Sequence, residues 1–88
     1  MNHIFVRSLS QLKRLAHNKH LEIYILLNGG GKSSKCIYYD TKAINTNSKG
    51  FYLFNYIDDT DGFYTEAELK SKTNIYKAIK RGALIAEV

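Results

Sequence analysis

The sequence predicts an α+β fold in which a three- to four-stranded antiparallel sheet, ordered as a meander, is packed by an N-terminal helix and two short C-terminal helices. Residues 21–28 and 36–41 are β-prone runs on either side of a glycine- and serine-rich loop, which is typical of an antiparallel hairpin. Apolar residues recur at period two along the first run, so they share a face that needs cover. Helix-capping patterns lie on both sides of this hairpin.

Size and composition favour a single small domain over residues 1–88, with 44% apolar residues. One cysteine, Cys36, excludes an intramolecular disulfide and fits a reducing compartment. The N-terminus lacks the long apolar run of a signal peptide, and no stretch is long enough to span a bilayer. We therefore expect a cytoplasmic protein without membrane association, and a homodimer would supplement so small a core.

The net charge of +5 is unevenly distributed along the chain. Residues 1–57 carry eight basic and two acidic side chains, a net +6, whereas residues 58–88 carry five basic and six acidic ones, a net −1. Such asymmetry fits a molecule with one side that meets phosphate or an acidic protein surface. It equally fits a soluble protein from a lysine-rich proteome.

The first half of the chain begins with residues 4–6, a β-prone run that suits an edge strand. Ser8 and Gln11 then form a capping-box pattern that predicts a helix over residues 9–18. Its inner face contains Leu9, Leu12 and Ala16, with Leu15 beside them. The first hairpin strand follows, with one face formed by Leu21, Ile23, Ile25 and Leu27.

The second half begins with a polar loop over residues 43–50 and a third strand over residues 51–57. One face of that strand contains Phe51, Leu53 and Ile57 and the other Tyr52, Phe54 and Tyr56. Both faces are apolar or aromatic, so we expect a central strand or one whose second face is partly covered.

Residues 58–62 read as a turn, and Thr65 with Glu68 forms a second capping box that predicts a helix to about residue 72. Thr73 or Asn74 then caps a third helix, whose buried face contains Ile75 and Ile79 and which Gly82 ends. Residues 83–86 form either a final short strand or a tail on the core.

Two loops resemble ligand motifs but lack key residues. The segment 31–33 reads Gly-Lys-Ser, yet a phosphate loop needs glycine where Leu26 stands and a helix where residues 35–39 predict a strand. A calcium loop starting at Ile57 would use Asp59, Asp61, Gly62 and Glu68, but isoleucine cannot ligate and the incoming segment is no helix. A flexible basic tip and an acidic turn are the simpler interpretations.

No residue pattern indicates catalysis or a metal centre. His17 and His20 lie three apart, yet structural zinc needs four ligands and the chain has no CxxC or HxxxH. Cys36 falls in a predicted strand, where a small hydrophobic role is expected. We therefore expect no enzyme activity, no cofactor and no metal.

Tyrosine is abundant, and tryptophan is absent. A sheet face with Tyr beside Lys can stack bases and hold phosphate, but Tyr is equally a preferred protein-interface residue. The rings could also belong to the core, and the sequence leaves these three roles open. The seven tyrosines are Tyr24, Tyr38, Tyr39, Tyr52, Tyr56, Tyr64 and Tyr76.

Several short segments resemble small uncharacterised proteins carried by phages and mobile elements. They are Ser-Leu-Ser-Gln-Leu at 8–12, Ser-Ser-Lys at 33–35, Ile-Asp-Asp at 57–59, Thr-Asn-Ile at 73–75 and Gly-Ala-Leu-Ile at 82–85. This resemblance spans most of the chain and implies a protein that regulates or inhibits host machinery by binding. It assigns no functional residue.

The leading hypothesis is a small non-enzymatic binding protein that engages nucleic acid or a nucleoprotein complex through a basic hairpin tip and helix. The alternative is a protein-directed inhibitor or adaptor of phage type, for example an anti-CRISPR factor, that meets a host protein through an aromatic face. The candidate contact residues are Lys13, Arg14, Lys32 and Lys35, with Tyr38 and Tyr52 as stacking or anchor groups.

Overall fold

A computed structural model describes residues 3–18, 21–25, 34–39, 49–56 and 59–87, with 17–18 and 21–25 described by their backbone alone. The elements are, in chain order, β1 (His3–Phe5), α1 (Leu9–Asn18), β2 (Leu21–Ile25), β3 (Ser34–Tyr39), β4 (Gly50–Phe54), β5 (Gly62–Thr65), α2 (Glu66–Lys72), α3 (Asn74–Lys80) and β6 (Leu84–Glu87). The predicted α+β class, with one N-terminal and two C-terminal helices, is confirmed. No helix among these residues has the length and apolar character to cross a membrane.

The strands form one antiparallel sheet in the order β1-β6-β2-β3-β4-β5. Strands β2 to β5 are neighbours in chain order, which is the predicted meander. The sheet extends beyond it because β6 lies between β1 and β2 and pairs with both. The C-terminal segment is therefore an interior strand of the sheet rather than a tail on it.

All three helices pack on one face of the sheet through a single core cluster. Its members come from alternate strand positions and from the inner faces of the helices, as the periodicity predicts. The buried cluster contains Val6, Leu12, Ala16, Cys36, Tyr38, Phe51, Leu53, Tyr56, Leu69, Ile75, Ala78, Ile79, Ala83, Leu84 and Ala86.

The predicted helix boundaries and the caps of α2 and α3 are confirmed, and the box predicted at Ser8 is confirmed in part, because the Gln11 side-chain oxygen accepts from the Arg7 amide at 2.7 Å. Helix α1 begins after Ser8, whose Oγ accepts a hydrogen bond from the Gln11 amide at 3.1 Å. Helix α2 has both bonds of the Thr65–Glu68 capping box, and Thr73 caps α3. Gly82 adopts the left-handed conformation with a φ of 73°.

The end of β4 differs from the prediction. The strand stops at Phe54, and Asn55 turns the backbone into the left-handed region with a φ of 57°, which asparagine tolerates better than most residues. Tyr56 is therefore buried in the core at 3% exposure, and its predicted placement beside Tyr52 and Phe54 is wrong. Strand β5 is not predicted from the sequence, because its four residues lie between the predicted turn at 58–62 and the helix cap at Thr65.

Several sequence predictions lie outside the described residues. They concern the tip at 29–33 with Lys32, the loop at 43–48 and the first position of the calcium-like loop, Ile57.

Candidate functional site

The sheet face opposite the helices, which we call the open face, has no helix packed on it within the described part of the chain. Its positions alternate with the core residues in β3 and β4 and follow the strand register in the other strands. Most of its side chains are apolar or aromatic and partly exposed, although Ile85 is buried. The open face contains Phe5, Lys35, Ile37, Tyr39, Tyr52, Phe54, Phe63 and Ile85.

A stacked ring pair lies at the centre of the β3–β5 part of this face. The ring centroids of Tyr52 and Phe54 are 4.5 Å apart, and the ring planes meet at 29°. The two residues share the face because they lie two apart on β4. Across the sheet, the register places Ile37 opposite Tyr52 and Lys35 opposite Phe54.

Beside this pair is a shallow concavity lined by Lys35, Ile37, Phe54 and Asn55. The lysine is exposed and brings a positive charge, the isoleucine and phenylalanine form an apolar wall, and Asn55 brings an amide that can donate and accept. Its chemistry suits a planar ligand with an anionic group.

A row of ionisable positions crosses the open face toward β1. The register aligns His3, Glu87, Glu22 and Lys35 on four neighbouring strands. His3 Nε2 lies 3.0 Å from Glu87 Oε2, and Glu22 is placed directly between Glu87 and Lys35. The row therefore has two acidic residue positions at its middle, while Lys35 lies at its β3 end beside the aromatic rings.

The structure separates the predicted contact residues into two groups. Lys35 and Tyr52 are together on the open face, on neighbouring strands. Tyr38 instead lies on the helix side at 7% exposure, with its ring 5.0 Å from that of Phe51. Lys13 lies there too, its Nζ 5.5 Å from the centroid of the Tyr38 ring.

Glu66 joins these two helix-side residues. Its Oε1 accepts a hydrogen bond from the Tyr38 hydroxyl and one from Lys13 Nζ, each at 3.3 Å. Tyr38 and Lys13 thus link β3 and α1 to α2. Arg14 is exposed on α1; Lys32 lies outside the described residues.

Sequence reasoning did not select Phe54, Ile37 and Asn55 as site residues. The alternation along residues 51–55 places Phe54 beside Tyr52, and this was the available signal for it. Alternation along β3 likewise places Ile37 beside Lys35. The position of Asn55 near Lys35 depends on the β3–β4 register and on the turn at Asn55, neither of which the sequence specifies.

The acidic turn serves the backbone. Asp59 accepts hydrogen bonds from the amides of Asn74 at 2.7 Å and Ile75 at 2.9 Å, and Asp61 accepts one from the Asn55 amide at 2.8 Å. Asp59 therefore holds the β4–β5 connection to the first turn of α3, and Asp61 holds it to the end of β4. Within the described ranges, no group of three or more His, Cys, Asp or Glu residues could hold a metal ion.

Two further titratable groups are explained by their surroundings. Burial raises the pKa of the Cys36 thiol far above its ordinary value, so it stays protonated within the core. Burial, with the negative charges of Asp59, Asp61 and Glu68, raises the pKa of Tyr64, whose hydroxyl donates to the Thr60 carbonyl oxygen. Neither group is arranged as a nucleophile.

Comparison with known proteins found no family model, no curated protein and no solved structure that matches this chain.

Proposed function

We propose that the chain is a small non-enzymatic binding protein that engages nucleic acid, or a complex that handles nucleic acid, through the β3–β5 part of its open face. The observation that carries the proposal is the exposed Lys35 beside the stacked rings of Tyr52 and Phe54, on a sheet face that no described helix covers. Aromatic rings can stack on unpaired bases, and a neighbouring lysine can bind the phosphate.

The charge of the whole molecule supports the same assignment. A net charge of +5 attracts a polyanion from a distance, and local lysines then fix the phosphates. Lys13 and Tyr38 are not part of the proposed contact, because both are engaged with Glu66 on the helix side. Arg14 and Lys32 stay predicted contacts, and their variants belong in the same experiment.

The test is binding of labelled single-stranded DNA, RNA and duplex DNA across a salt series. Lys35→Glu reverses one charge at the proposed contact, so we expect the affinity to fall by about tenfold or more. Combining it with Lys32→Glu should abolish binding. Circular dichroism and thermal unfolding of both variants check the fold, which Lys35→Glu should leave unchanged because the Lys35 side chain is exposed.

The matched control is Lys77→Glu, which makes the same change of charge at an exposed position of α3. We expect it to alter affinity far less than Lys35→Glu. Equal losses in the two variants would mean that only total charge matters, and would contradict a contact at the open face. No binding to any of the three ligands at low salt would contradict the proposal as a whole.

A protein-directed inhibitor or adaptor, of the kind that the resemblance to phage and mobile-element proteins suggests, is the second candidate. It is favoured by Phe5, which is 42% exposed at the β1 edge, and by the negative charge at Glu87 in the neighbouring row. A one-to-one protein partner that persists after nuclease treatment and is lost on Phe5→Ser would support this candidate over the first.

A further inference from the structure

We propose that the ligand of the open face is single-stranded nucleic acid, bound with a base stacked against Phe54 and a phosphate beside Lys35. This inference rests on the proposed function and specifies the class of nucleic acid and the way it binds. It uses the concavity formed by Lys35, Ile37, Phe54 and Asn55.

The stacked rings of Tyr52 and Phe54 provide an aromatic surface for a base. Tyr52 and Phe54 already lie ring against ring at 4.5 Å, and Phe54 also lines the concavity. A base that enters the concavity therefore meets a prearranged aromatic surface and extends the stack by one ring. The aliphatic side chain of Ile37 lines the same concavity.

The backbone of Asn55 is held in place at the edge of the concavity. Its backbone amide donates to Asp61 Oδ1 at 2.8 Å, and its backbone carbonyl oxygen accepts from Ser34 Oγ at 2.7 Å. The backbone is thus held from two directions, while the exposed side-chain amide takes no part in these bonds. That amide can pair with the edge of a base, since it offers both a donor and an acceptor.

The open face is better suited to a single strand of nucleic acid than to a duplex. Bases inside a duplex stack on one another, so their flat faces are closed to a protein ring, whereas unpaired bases can turn out and stack. The described part of the open face presents no helix that could enter a groove. The contact that this surface offers is stacking of bases on the aromatic side chains of the sheet.

The width of the β3–β5 part of the sheet limits how many nucleotides the site can hold. Strands lie about 4.8 Å apart, so the width of the sheet from β3 to β5 is roughly 10 Å, enough for one or two nucleotides. Toward β1, the register continues from Lys35 to two acidic positions, Glu22 and Glu87, which favour phosphate less than the lysine position does. The strand should therefore run along β3–β5 rather than across the whole sheet.

The experiment measures fluorescence anisotropy of labelled oligothymidine, oligouridine and a duplex of equal length with the full chain. Phe54→Leu keeps an apolar side chain but removes the ring, and should weaken single-strand binding by about tenfold. Lys35→Gln should reduce the slope of log affinity against log salt by about 0.7, the value for one phosphate contact on a single strand.

The matched aromatic control is Tyr76→Leu on α3, a partly exposed ring on the helix side, which should bind as the parent does. Tyr52→Leu is a second test of the stack if Phe54→Leu fails to fold. Stronger binding to the duplex, or unchanged affinity in the ring variants, would overturn this inference while salt-dependent binding still supported the proposed function. Absence of binding to every ligand at low salt would overturn both.

Discussion

At the scale of a single residue, Gly50 shows how closely β4 and β5 approach. A Cβ atom there would lie 2.7 Å from Phe63 Cζ and 3.0 Å from Thr65 Cα, and would collide with the Tyr64 carbonyl oxygen. Two of these atoms belong to the backbone of β5 and cannot move independently. The missing side chain therefore allows both the strand pairing and the position of Phe63 on the open face.

We expect Gly50→Ala to lower the free energy of unfolding by about 1–3 kcal/mol, because the added methyl group overpacks the β4–β5 contact. Urea denaturation measures this loss. Gly82→Ala is the control: it costs about 1–2 kcal/mol through its left-handed backbone, but has open space around the new Cβ. Only Gly50→Ala should shift the NMR signals of Phe63 and Tyr64, and unshifted signals would contradict the close approach.

At the scale of elements, the turn from β5 through α2 to α3 is organised by caps. Thr65 Oγ1 accepts from the Glu68 amide at 3.1 Å, and Glu68 Oε1 accepts from the Thr65 amide at 3.0 Å. Asp59 extends this arrangement from the preceding turn, since it holds the first amides of α3. Local hydrogen bonds thus position two short helices that would not be stable alone.

The capping box predicts a dependence of stability on pH. The hydrogen bonds from the backbone and side chain of Thr65, aided by the charge of Lys72, lower the pKa of Glu68 below its ordinary value. Since the folded-state pKa is the lower one, this stabilisation is fully present above the ordinary pKa of glutamate. It is lost as the pH falls through the folded-state value.

Glu68→Gln keeps an oxygen that can accept from the Thr65 amide but removes the ionisation. We therefore expect the difference in melting temperature between the parent and Glu68→Gln to shrink as the pH is lowered through the acidic range. Differential scanning calorimetry at a series of pH values measures it. A difference that stays constant with pH would contradict a charged cap at this position.

At the scale of the whole molecule, strand β6 connects the two ends of the chain within the sheet. It pairs with β1 from His3 to Phe5 and with β2 from Glu22 to Ile25. Leu84 and Ala86 are fully buried against the helices, and the Leu84 carbonyl oxygen accepts from the Val6 amide at 2.9 Å. The N-terminal third of the fold is therefore completed only when the C-terminal strand is in place.

A chain that ends at Gly82 should consequently lose cooperative unfolding, because β1 and β2 would lack the strand that pairs with both. Far-UV circular dichroism during thermal denaturation tests this. A cooperative transition at the parental temperature would contradict the interior position of β6. Supplying residues 83–88 as a separate peptide should restore part of the transition if loss of this pairing is the cause.

The contact residues illustrate the limit of sequence reasoning. Lys35 and Tyr52 were identified from charge and alternation, which are local properties. Lys13 and Tyr38 carry equally suitable side chains, but both contact Glu66, which lies 53 and 28 residues away along the chain. Such a distant partner leaves no trace in the spacing of nearby residues, so their engagement on the helix side could not be foreseen.

The sequence by itself determined the α+β class, the three helices with their caps, and the strands of the hairpin, because caps and periodicity act over a few residues. The tertiary structure alone decided three features: the place of β6 between β1 and β2, the end of β4 at Asn55, and which tyrosines face the core. Each depends on pairing or packing between residues far apart in the chain. The open face and its concavity arise from those same contacts, which is why only the folded chain reveals them.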